Sequence, residues 1–325
     1  MSQDSLLSVR NLSVTFDIHN KKKWPWSTPA KLCAVNNVSF DLAPGTTLGV
    51  VGESGCGKST LIRSIIGLVK ASDGEVIYRG ADALKFDKAQ RTKFRREVQM
   101  IFQDPQSSLN PRMTVGEIMN EPLRQLFPEM SKADREKRSR DMLDRVGILS
   151  NAINRYPHEF SGGQCQRIGI ARALTTDPKL ILCDEPVSAL DVSVQAQVVN
   201  LLGDIQKETG LSLVFVAHDI GIVHHISDEI LVMYLGSLAE QQSADGLLNG
   251  AKHPYTQALL SAVPEPDPRA KLEATMLEGD LPSPLKLPRG CVFSTRCPKV
   301  HDKCRAERPS VRQIGDVKVA CHLDA

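Results

Sequence analysis

The 325-residue sequence lacks long hydrophobic runs and any large excess of charge of one sign. No 18 apolar residues occur in succession, and this excludes a hydrophobic transmembrane helix; longer apolar clusters such as Leu211–Ala217 have the length of a β-strand. Forty lysines and arginines against 38 aspartates and glutamates leave a net charge of +2. That balance provides no global field for nucleic acid or anionic lipid, so partners have to be inferred from motifs.

We expect no secretory signal, because the first 30 residues contain no apolar segment of signal length behind a basic start. We therefore expect a cytosolic protein, in which clustered cysteines favour a metal site over a disulfide. The sequence has neither an internal repeat nor sustained heptads. The basic-aromatic segment 21–29, which contains Trp24 and Trp26, is interpreted as a loop docked on the protein body rather than as a partner contact.

Apolar runs at Thr47–Glu53, Lys179–Pro186 and Leu211–Asp219 have the pattern of buried parallel strands. They alternate with helical stretches, and this predicts a doubly wound α/β core. In such a fold ligands lie beyond the carboxyl ends of the strands. Gly52 to Lys58, Asp184, Glu185 and His218 all fall at that edge.

Between about residues 104 and 178 the pattern becomes helical. Thr114–Glu117 and Ser131–Asp134 resemble capping boxes, and Gly147 is a plausible stop for the second helix. We interpret this region as a helical subdomain inserted in the α/β core. Proline becomes frequent from about Pro264, which indicates a separate, loop-rich extension.

The segment GESGCGKST fits the phosphate-loop pattern G-x-x-x-x-G-K-[ST] and lies between an apolar strand and an amphipathic helix. Its backbone N–H groups and the following helix amino terminus are suited to bind phosphate. Lys58 would bridge the β- and γ-phosphates and the Ser59 hydroxyl would ligate Mg²⁺. The predicted nucleotide-binding residues of this loop are Gly52, Ser54, Gly55, Cys56, Gly57, Lys58, Ser59 and Thr60.

The segment LILCDEP places two carboxylates directly after a buried strand. Asp184 is suited to hold Mg²⁺, and Glu185 could polarise an attacking water. An Asp-Glu pair alone is weak evidence, since such pairs are often ordinary loop residues. Its position after four apolar residues favours the functional interpretation.

The segment FSGGQCQR, with Ser161, Gly162, Gly163 and Gln164, resembles the signature sequence of ATP-binding-cassette (ABC) ATPases. Other family elements follow the same order along residues 6–250: an aromatic residue that would stack on adenine, a Q-loop glutamine, a D-loop and a switch histidine. The residues at these positions are Phe16, Gln103, Asp191 and His218.

This resemblance implies that ATP is bound between two such domains, so that hydrolysis requires dimerisation. Gln103 and His218 would act beside the catalytic Glu185, and Gln103 would help Ser59 and Asp184 to hold Mg²⁺. Ser161 and Gly163 of the opposing subunit would close over the γ-phosphate. Cys165 replaces the Arg, Gln or Lys common in the family, but it lies outside the residues expected to touch phosphate.

The end of the chain resembles the carboxy-terminal segment of the peptide and nickel importer ATPases, in HPYTQALLSAVPEPDP and EGDLPSP. We therefore expect residues 1–250 to be the ABC ATPase domain and residues 251–325 an importer-type extension. The resemblance implies a peripheral protein on the cytoplasmic face of the bacterial inner membrane. Its expected partners are a second homologous ATPase, two integral-membrane permease subunits and an extracytoplasmic peptide-binding protein, with no nucleic acid.

Four of the eight cysteines lie in the last tenth of the sequence: Cys291, Cys297, Cys304 and Cys321. Their spacing does not match the C-x2-C pairs of common zinc modules, and wide loops suit an iron–sulfur cluster at least as well. The importer resemblance implies a [4Fe–4S] cluster; zinc is the alternative. A soluble ABC ATPase acting on nucleic acid or ribosomes, an importer of nickel or another solute, and a redox sensor remain as rival functions.

Overall fold

The computed structural model describes residues 5–18, 30–262 and 282–323, so the segment with Trp24 and Trp26 lies outside the described residues. The chain divides into two units. Unit 1 consists of residues up to Leu6, Leu42–Thr47 and Asp82–Ala217. Unit 2 consists of Leu7–Asp41, Leu48–Ala81 and His218–Ala325.

Strands and helices alternate along most of the chain, as an α/β fold requires. The elements are β1 (Leu7–Ile18), β2 (Ala30–Leu42), β3 (Thr47–Val51), α1 (Lys58–Ile65), β4 (Asp73–Tyr78), β5 (Ala81–Asp82), α2 (Lys88–Glu97), β6 (Val98–Ile101), α3 (Val115–Leu126), α4 (Lys132–Arg145), α5 (Gly162–Leu174), β7 (Leu180–Asp184), α6 (Val192–Thr209), β8 (Ser212–Val216), α7 (Ile220–Ile226), β9 (Glu229–Tyr234), β10 (Ser237–Ser243), α8 (Ala244–Gly250), α9 (Pro254–Ser261), α10 (Asp302–Ala306), β11 (Arg312–Ile314) and β12 (Val317–Val319).

In unit 1, β7 pairs in parallel with β6 on one side and with β8 on the other. Every residue of β7 and β8 is buried. A strand covered on both faces has no polar side, which is why these strands are continuous apolar runs in the sequence. The strands predicted at Lys179–Pro186 and Leu211–Asp219 are confirmed, with β7 and β8 inside those ranges.

Helices α3, α4 and α5 of unit 1 pack against one another. Thr114 caps α3 in a complete capping box with Glu117, and Ser131 caps α4 by accepting a hydrogen bond from the Asp134 N–H. Helix α4 ends where Gly147 adopts a φ of 76°, a left-handed conformation that favours glycine. Both predicted helix starts and the predicted stop are therefore confirmed.

In unit 2, the strand order is β11, β12, β10, β9 and β3. Strand β3 runs parallel to β9, while β9, β10, β12 and β11 pair in antiparallel fashion. The hairpin near the carboxyl end of the chain thus continues the sheet that contains β3. Strands β2, β1 and β4 form, in that order, part of a second sheet.

Helices long and apolar enough to span a bilayer do not occur in the part of the chain that the structure describes.

Candidate functional site

The phosphate-loop sequence connects the buried strand β3 to α1 in unit 2. Gly52 and Gly57 have φ values of 157° and 103° and lie against other backbone. A Cβ atom at Gly52 would lie 2.2 Å from the Met233 carbonyl oxygen, and one at Gly57 would lie 2.1 Å from the Ala34 carbonyl oxygen. Both positions therefore require glycine for steric reasons, before any ligand is considered.

Lys58, the first residue of α1, is almost fully buried, with 3% of its surface exposed. Its Nζ donates to the carbonyl oxygens of Gly52 (2.7 Å) and Glu53 (3.1 Å). The ammonium group is thereby held inside the curve of the loop. Ser54 and Gly55 are exposed at the tip, and Ser59 and Thr60 are half-buried in the first turn of α1.

Cys56 is the predicted loop residue that faces the interior. Its side chain is buried, and burial raises the pKa of its thiol. Its carbonyl oxygen accepts a hydrogen bond from the Gly236 N–H at 2.8 Å. Cys56 can therefore contribute backbone groups to the loop, but its thiol is a packed side chain and not a nucleophile.

The two predicted carboxylates follow β7 in unit 1. Asp184 is fully buried at the end of the strand. Glu185 has a φ of 45°, a backbone conformation that is uncommon for a residue with a side chain and that often marks functional sites. The Glu185 N–H donates to the Val216 carbonyl oxygen at 3.1 Å, which fixes the strained residue.

Gln103 and Glu185 are in direct contact although 82 positions separate them in the sequence. The Gln103 Nε2 donates to the Glu185 Oε2 at 2.9 Å. The Glu185 carbonyl oxygen also accepts a hydrogen bond from the Ser188 hydroxyl at 3.1 Å. The structure thus brings together a carboxylate able to accept a proton and an amide that orients it.

The signature sequence forms the start of α5 in unit 1. Ser161 caps the helix in a capping box with Gln164: the Ser161 Oγ accepts from the Gln164 N–H at 3.3 Å, and the Gln164 Oε1 accepts from the Ser161 N–H at 3.0 Å. A Cβ atom at Gly163 would lie 2.6 Å from Val194 Cγ1 in α6, so the two helices approach closely there. Ser161 is exposed.

The departure from the family pattern at Cys165 is accommodated by the protein interior. Its side chain is fully buried, and its Sγ donates to the Pro157 carbonyl oxygen at 3.4 Å. Cys183 is likewise buried, whereas Cys33 is half-buried. Burial raises the pKa of both Cys165 and Cys183, so these thiols act as packing groups.

Of the remaining predicted nucleotide residues, Phe16, Asp191 and His218 are exposed and Gly162 is half-buried. Phe16 lies in β1 and His218 precedes α7, both in unit 2. Asp191, in unit 1, is the N-cap residue of α6, and Gly162 lies in the first turn of α5. Their roles toward a nucleotide remain predictions.

The four carboxy-terminal cysteines lie in unit 2, and three of them are buried: Cys291, Cys304 and Cys321. The Cys291 N–H donates to the Cys304 carbonyl oxygen at 2.8 Å. Burial, together with the charges of the other three thiols, raises the pKa of Cys291 to about 11. Across 5–18, 30–262 and 282–323, however, no three His, Cys, Asp or Glu side chains form a group that could hold a metal ion.

Sequence reasoning missed the contacts of Glu53, a variable position of the phosphate loop. Arg296 Nη1 donates to both carboxylate oxygens of Glu53, at 3.0 and 2.8 Å, and the Tyr255 hydroxyl accepts from the Glu53 N–H at 2.9 Å. All three residues belong to unit 2. No local signal could have found these contacts, because about 200 residues or more separate the partners.

Two family models match the chain. One, described as ABC transporter, matches residues 35–188, and the other, described as oligopeptide/dipeptide transporter, C-terminal region, matches residues 239–304. The second match includes Cys291, Cys297 and Cys304. It agrees with the importer resemblance of the sequence.

Curated relatives match nearly the whole chain. It is 58% identical to the oligopeptide transport ATP-binding protein OppF of Salmonella typhimurium, over 97% of this chain and 95% of that protein. It is 57% identical to the OppF protein of Haemophilus influenzae, over 95% of this chain and 93% of that protein. Among solved structures, a dimeric post-hydrolysis state of the ATP-binding cassette MJ0796 bound to ADP and Pi matches with a TM-score of 0.65 and 29% identity, over 73% of this chain and 98% of the other.

Proposed function

This chain belongs to the ATP-binding subunits of ABC transporters, and on that basis we propose that it hydrolyses ATP to energise the import of oligopeptides. The proposal is carried by the sequence identity of 57% and 58% to two OppF proteins over at least 95% of the chain. It makes the chain an OppF-type ATPase of an oligopeptide permease. The rival soluble ABC ATPase, acting on nucleic acid or ribosomes, is not favoured. Nothing in the charge balance of the sequence supports a nucleic-acid partner.

ATP is bound at the phosphate loop of unit 2. Successive backbone N–H groups and the amino terminus of α1 receive the phosphate oxygens, and Phe16 stacks on the adenine ring. Lys58 leaves its carbonyl partners, Gly52 and Glu53, to neutralise the β- and γ-phosphates. Four further residues of the loop, Ser54, Gly55, Gly57 and Thr60, are proposed to complete the phosphate-binding surface.

Mg²⁺ would be held by Ser59, Gln103 and Asp184, and it would offset the phosphate charge in the transition state. The chemistry of these donors fits the ion, because hydroxyl, amide and carboxylate oxygens are the ligands that Mg²⁺ prefers. The Gln103 amide nitrogen donates to Glu185, so its carbonyl oxygen is the atom left for the metal. Glu185 accepts a proton from the attacking water, and His218 is proposed as a further catalytic residue.

Hydrolysis requires a second ATPase in this proposal. The signature residues Ser161, Gly162, Gly163 and Gln164 close over the γ-phosphate held by that partner, and Asp191 lies at the same contact surface. The exposed Ser161 and the amino terminus of α5 offer a hydroxyl, N–H groups and a positive helix end to negative charge. The MJ0796 match is itself a dimer bound to ADP and Pi, which supports this arrangement.

The expected assembly is a transporter on the cytoplasmic face of the bacterial inner membrane. It contains this chain, a second homologous ATPase, two permease subunits and an extracytoplasmic peptide-binding protein. A pull-down of the tagged chain from solubilised native membranes tests the proposal. We expect to recover integral permease subunits and to measure ATP hydrolysis that peptide stimulates. Recovery of ribosomal or nucleic-acid partners alone would contradict the proposal. Stimulation of hydrolysis by nickel instead of peptide would identify nickel as the substrate.

The carboxy-terminal cysteines are proposed to hold a [4Fe–4S] cluster, with Zn²⁺ as the alternative. A backbone hydrogen bond from the Cys291 N–H to the Cys304 carbonyl oxygen brings two of the four cysteines together and supports a shared site. Among the described residues the thiols do not form a group that could hold a metal ion, so this proposal requires them to rearrange when the metal binds. When bound, such a group supplies cross-links for a segment that has little hydrophobic core of its own. Cys291, Cys297, Cys304 and Cys321 would be its four ligands.

Metal analysis of anaerobically purified protein tests this site. We expect a brown protein with iron and acid-labile sulfide, both lost in Cys297→Ser and both retained in Cys33→Ser, the matched control outside the cysteine tail. Stoichiometric zinc without iron would show that the site binds zinc and not a cluster. Absence of both metals would contradict a metal site altogether.

A further inference from the structure

The phosphate loop is held from outside by the carboxy-terminal part of unit 2. Glu53, the residue after Gly52, forms an ion pair with Arg296, whose side chain is 10% exposed against 27% for Glu53. Arg296 immediately precedes Cys297 in the sequence. A segment near the end of the chain thus contacts the loop that is expected to bind ATP.

A second contact fixes the backbone of the same residue. The Glu53 N–H donates to the Tyr255 hydroxyl at 2.9 Å, and Tyr255 is fully buried. The Tyr255 ring packs on Tyr234 and Phe293, with ring centroids 4.7 and 5.4 Å apart. Glu53 is therefore held through both its side chain and its main chain by a well-packed support.

The position of Glu53 matters for the loop because its carbonyl oxygen, with that of Gly52, binds Lys58 Nζ. A shift of Glu53 would move both the loop N–H groups and the lysine that is expected to meet the phosphates. Because these are the groups expected to bind phosphate, such a shift would weaken the binding of ATP.

The charge of Glu53 supplies a separate reason for the ion pair. A carboxylate in the phosphate loop lies close to where anionic phosphates bind, and like charges in a partly buried site repel. Arg296 donates to both oxygens of that carboxylate and compensates its charge. Loss of Arg296 would therefore both loosen the loop and leave a negative charge beside ATP.

We infer that Arg296 and Tyr255 are positioning residues for ATP: Arg296 holds and neutralises the Glu53 carboxylate, the Tyr255 hydroxyl holds the Glu53 N–H, and the carboxy-terminal segment thereby supports the nucleotide site. The inference rests on the proposed ATP binding at the phosphate loop. It assigns a role in nucleotide affinity to a segment whose sequence indicates only an importer extension with a cysteine cluster.

A double-mutant cycle on the full-length chain tests the inference, with ATP dissociation constants, KM and kcat measured in the assembled transporter. We expect Arg296→Ala to weaken ATP binding by roughly tenfold and raise KM with little change in kcat, the scale of a lost charge-assisted hydrogen-bond pair. Arg296→Lys should restore part of the affinity. In a Glu53→Ala background Arg296→Ala should have no further effect, because its partner is already absent.

The matched control is Arg305→Ala, since Arg305 is an exposed arginine that also adjoins a tail cysteine, Cys304. Equal ATP affinity in Arg296→Ala and Arg305→Ala would overturn the inference, as would an equal loss from Arg296→Ala with and without Glu53. Where Arg296→Ala fails to fold, the same comparison is made with Arg296→Lys. Its loss of ATP affinity should disappear in the Glu53→Ala background, and an equal loss with and without Glu53 would overturn the inference. Failure of the wild-type chain to bind ATP would instead overturn the proposed function.

Discussion

Glu185 combines three properties of a catalytic residue in one position at the end of β7. Its backbone has a positive φ, its side chain is half-buried, and its carboxylate accepts a hydrogen bond from Gln103. A strained residue persists only where its surroundings fix it, here through the Glu185 N–H bond to Val216. The strain therefore indicates that the direction of this side chain matters.

We predict that Glu185→Gln leaves ATP binding intact but lowers turnover by ~10²- to 10⁴-fold, the usual contribution of a general base. The amide keeps the size and polarity of the side chain but cannot accept the proton. ATP binding and single-turnover hydrolysis in the assembled transporter measure the two effects separately. Near-normal hydrolysis would show that Glu185 is not the general base. The control is Glu159→Gln, at an exposed glutamate ahead of the signature sequence.

Helix α9 shows how one element depends on a buried titratable group. Its N-cap residue, His253, accepts a hydrogen bond from the Tyr255 N–H at Nδ1, and this places Tyr255 beside the phosphate loop. His253 is buried, and burial lowers its pKa to about 4. Protonation therefore opposes the packing of α9.

The sign of the pH dependence follows from that shift. Because the folded-state pKa lies below the ordinary value of 6.5, the unfolded chain binds the proton first, and stability present above pH 6.5 is lost as the pH falls toward 4. We predict that His253 accounts for about 2 kcal/mol of the free energy of unfolding lost between pH 7 and pH 5. Denaturant titrations at the two pH values measure this quantity.

His253→Asn should make the free energy of unfolding less dependent on pH in this range, since asparagine can cap a helix but does not titrate. His158→Asn, at an exposed histidine, should leave the dependence unchanged. An unchanged dependence in His253→Asn would show that other groups cause the loss of stability in acid.

At the scale of the whole molecule, the proposed function predicts that the signature residues act only in the assembled transporter. Ser161→Arg places a bulky side chain at the exposed start of α5 and should abolish hydrolysis by the transporter. ATP binding by the isolated chain should be unchanged, because in the proposal Ser161 meets the partner's nucleotide. Loss of ATP binding in the isolated variant would contradict that assignment. Ser131→Asn, at an exposed serine that caps α4, is the control and should leave both hydrolysis and ATP binding unchanged.

Much of the fold was predictable because its signals are local. Strands β7 and β8 are apolar runs because both of their faces are covered, and α3 and α4 begin at the capping residues that the sequence indicates. The phosphate loop is equally local, since steric contacts at Gly52 and Gly57 impose its glycines within a few positions. The domain boundary expected at residue 250 and the roles of Phe16 and His218 remain predictions.

The sequence by itself determined the family, the phosphate loop and the order of the ATPase motifs, because each is written in neighbouring residues whose spacing is set by backbone geometry. Only the tertiary structure decided that Gln103 orients Glu185, and that Glu53 pairs with Arg296 across 243 positions. Such pairs form only because the folded chain brings residues that are far apart in the sequence close together in space. No local pattern of residue types can encode that distance, so contacts between remote charges have to be read from the fold.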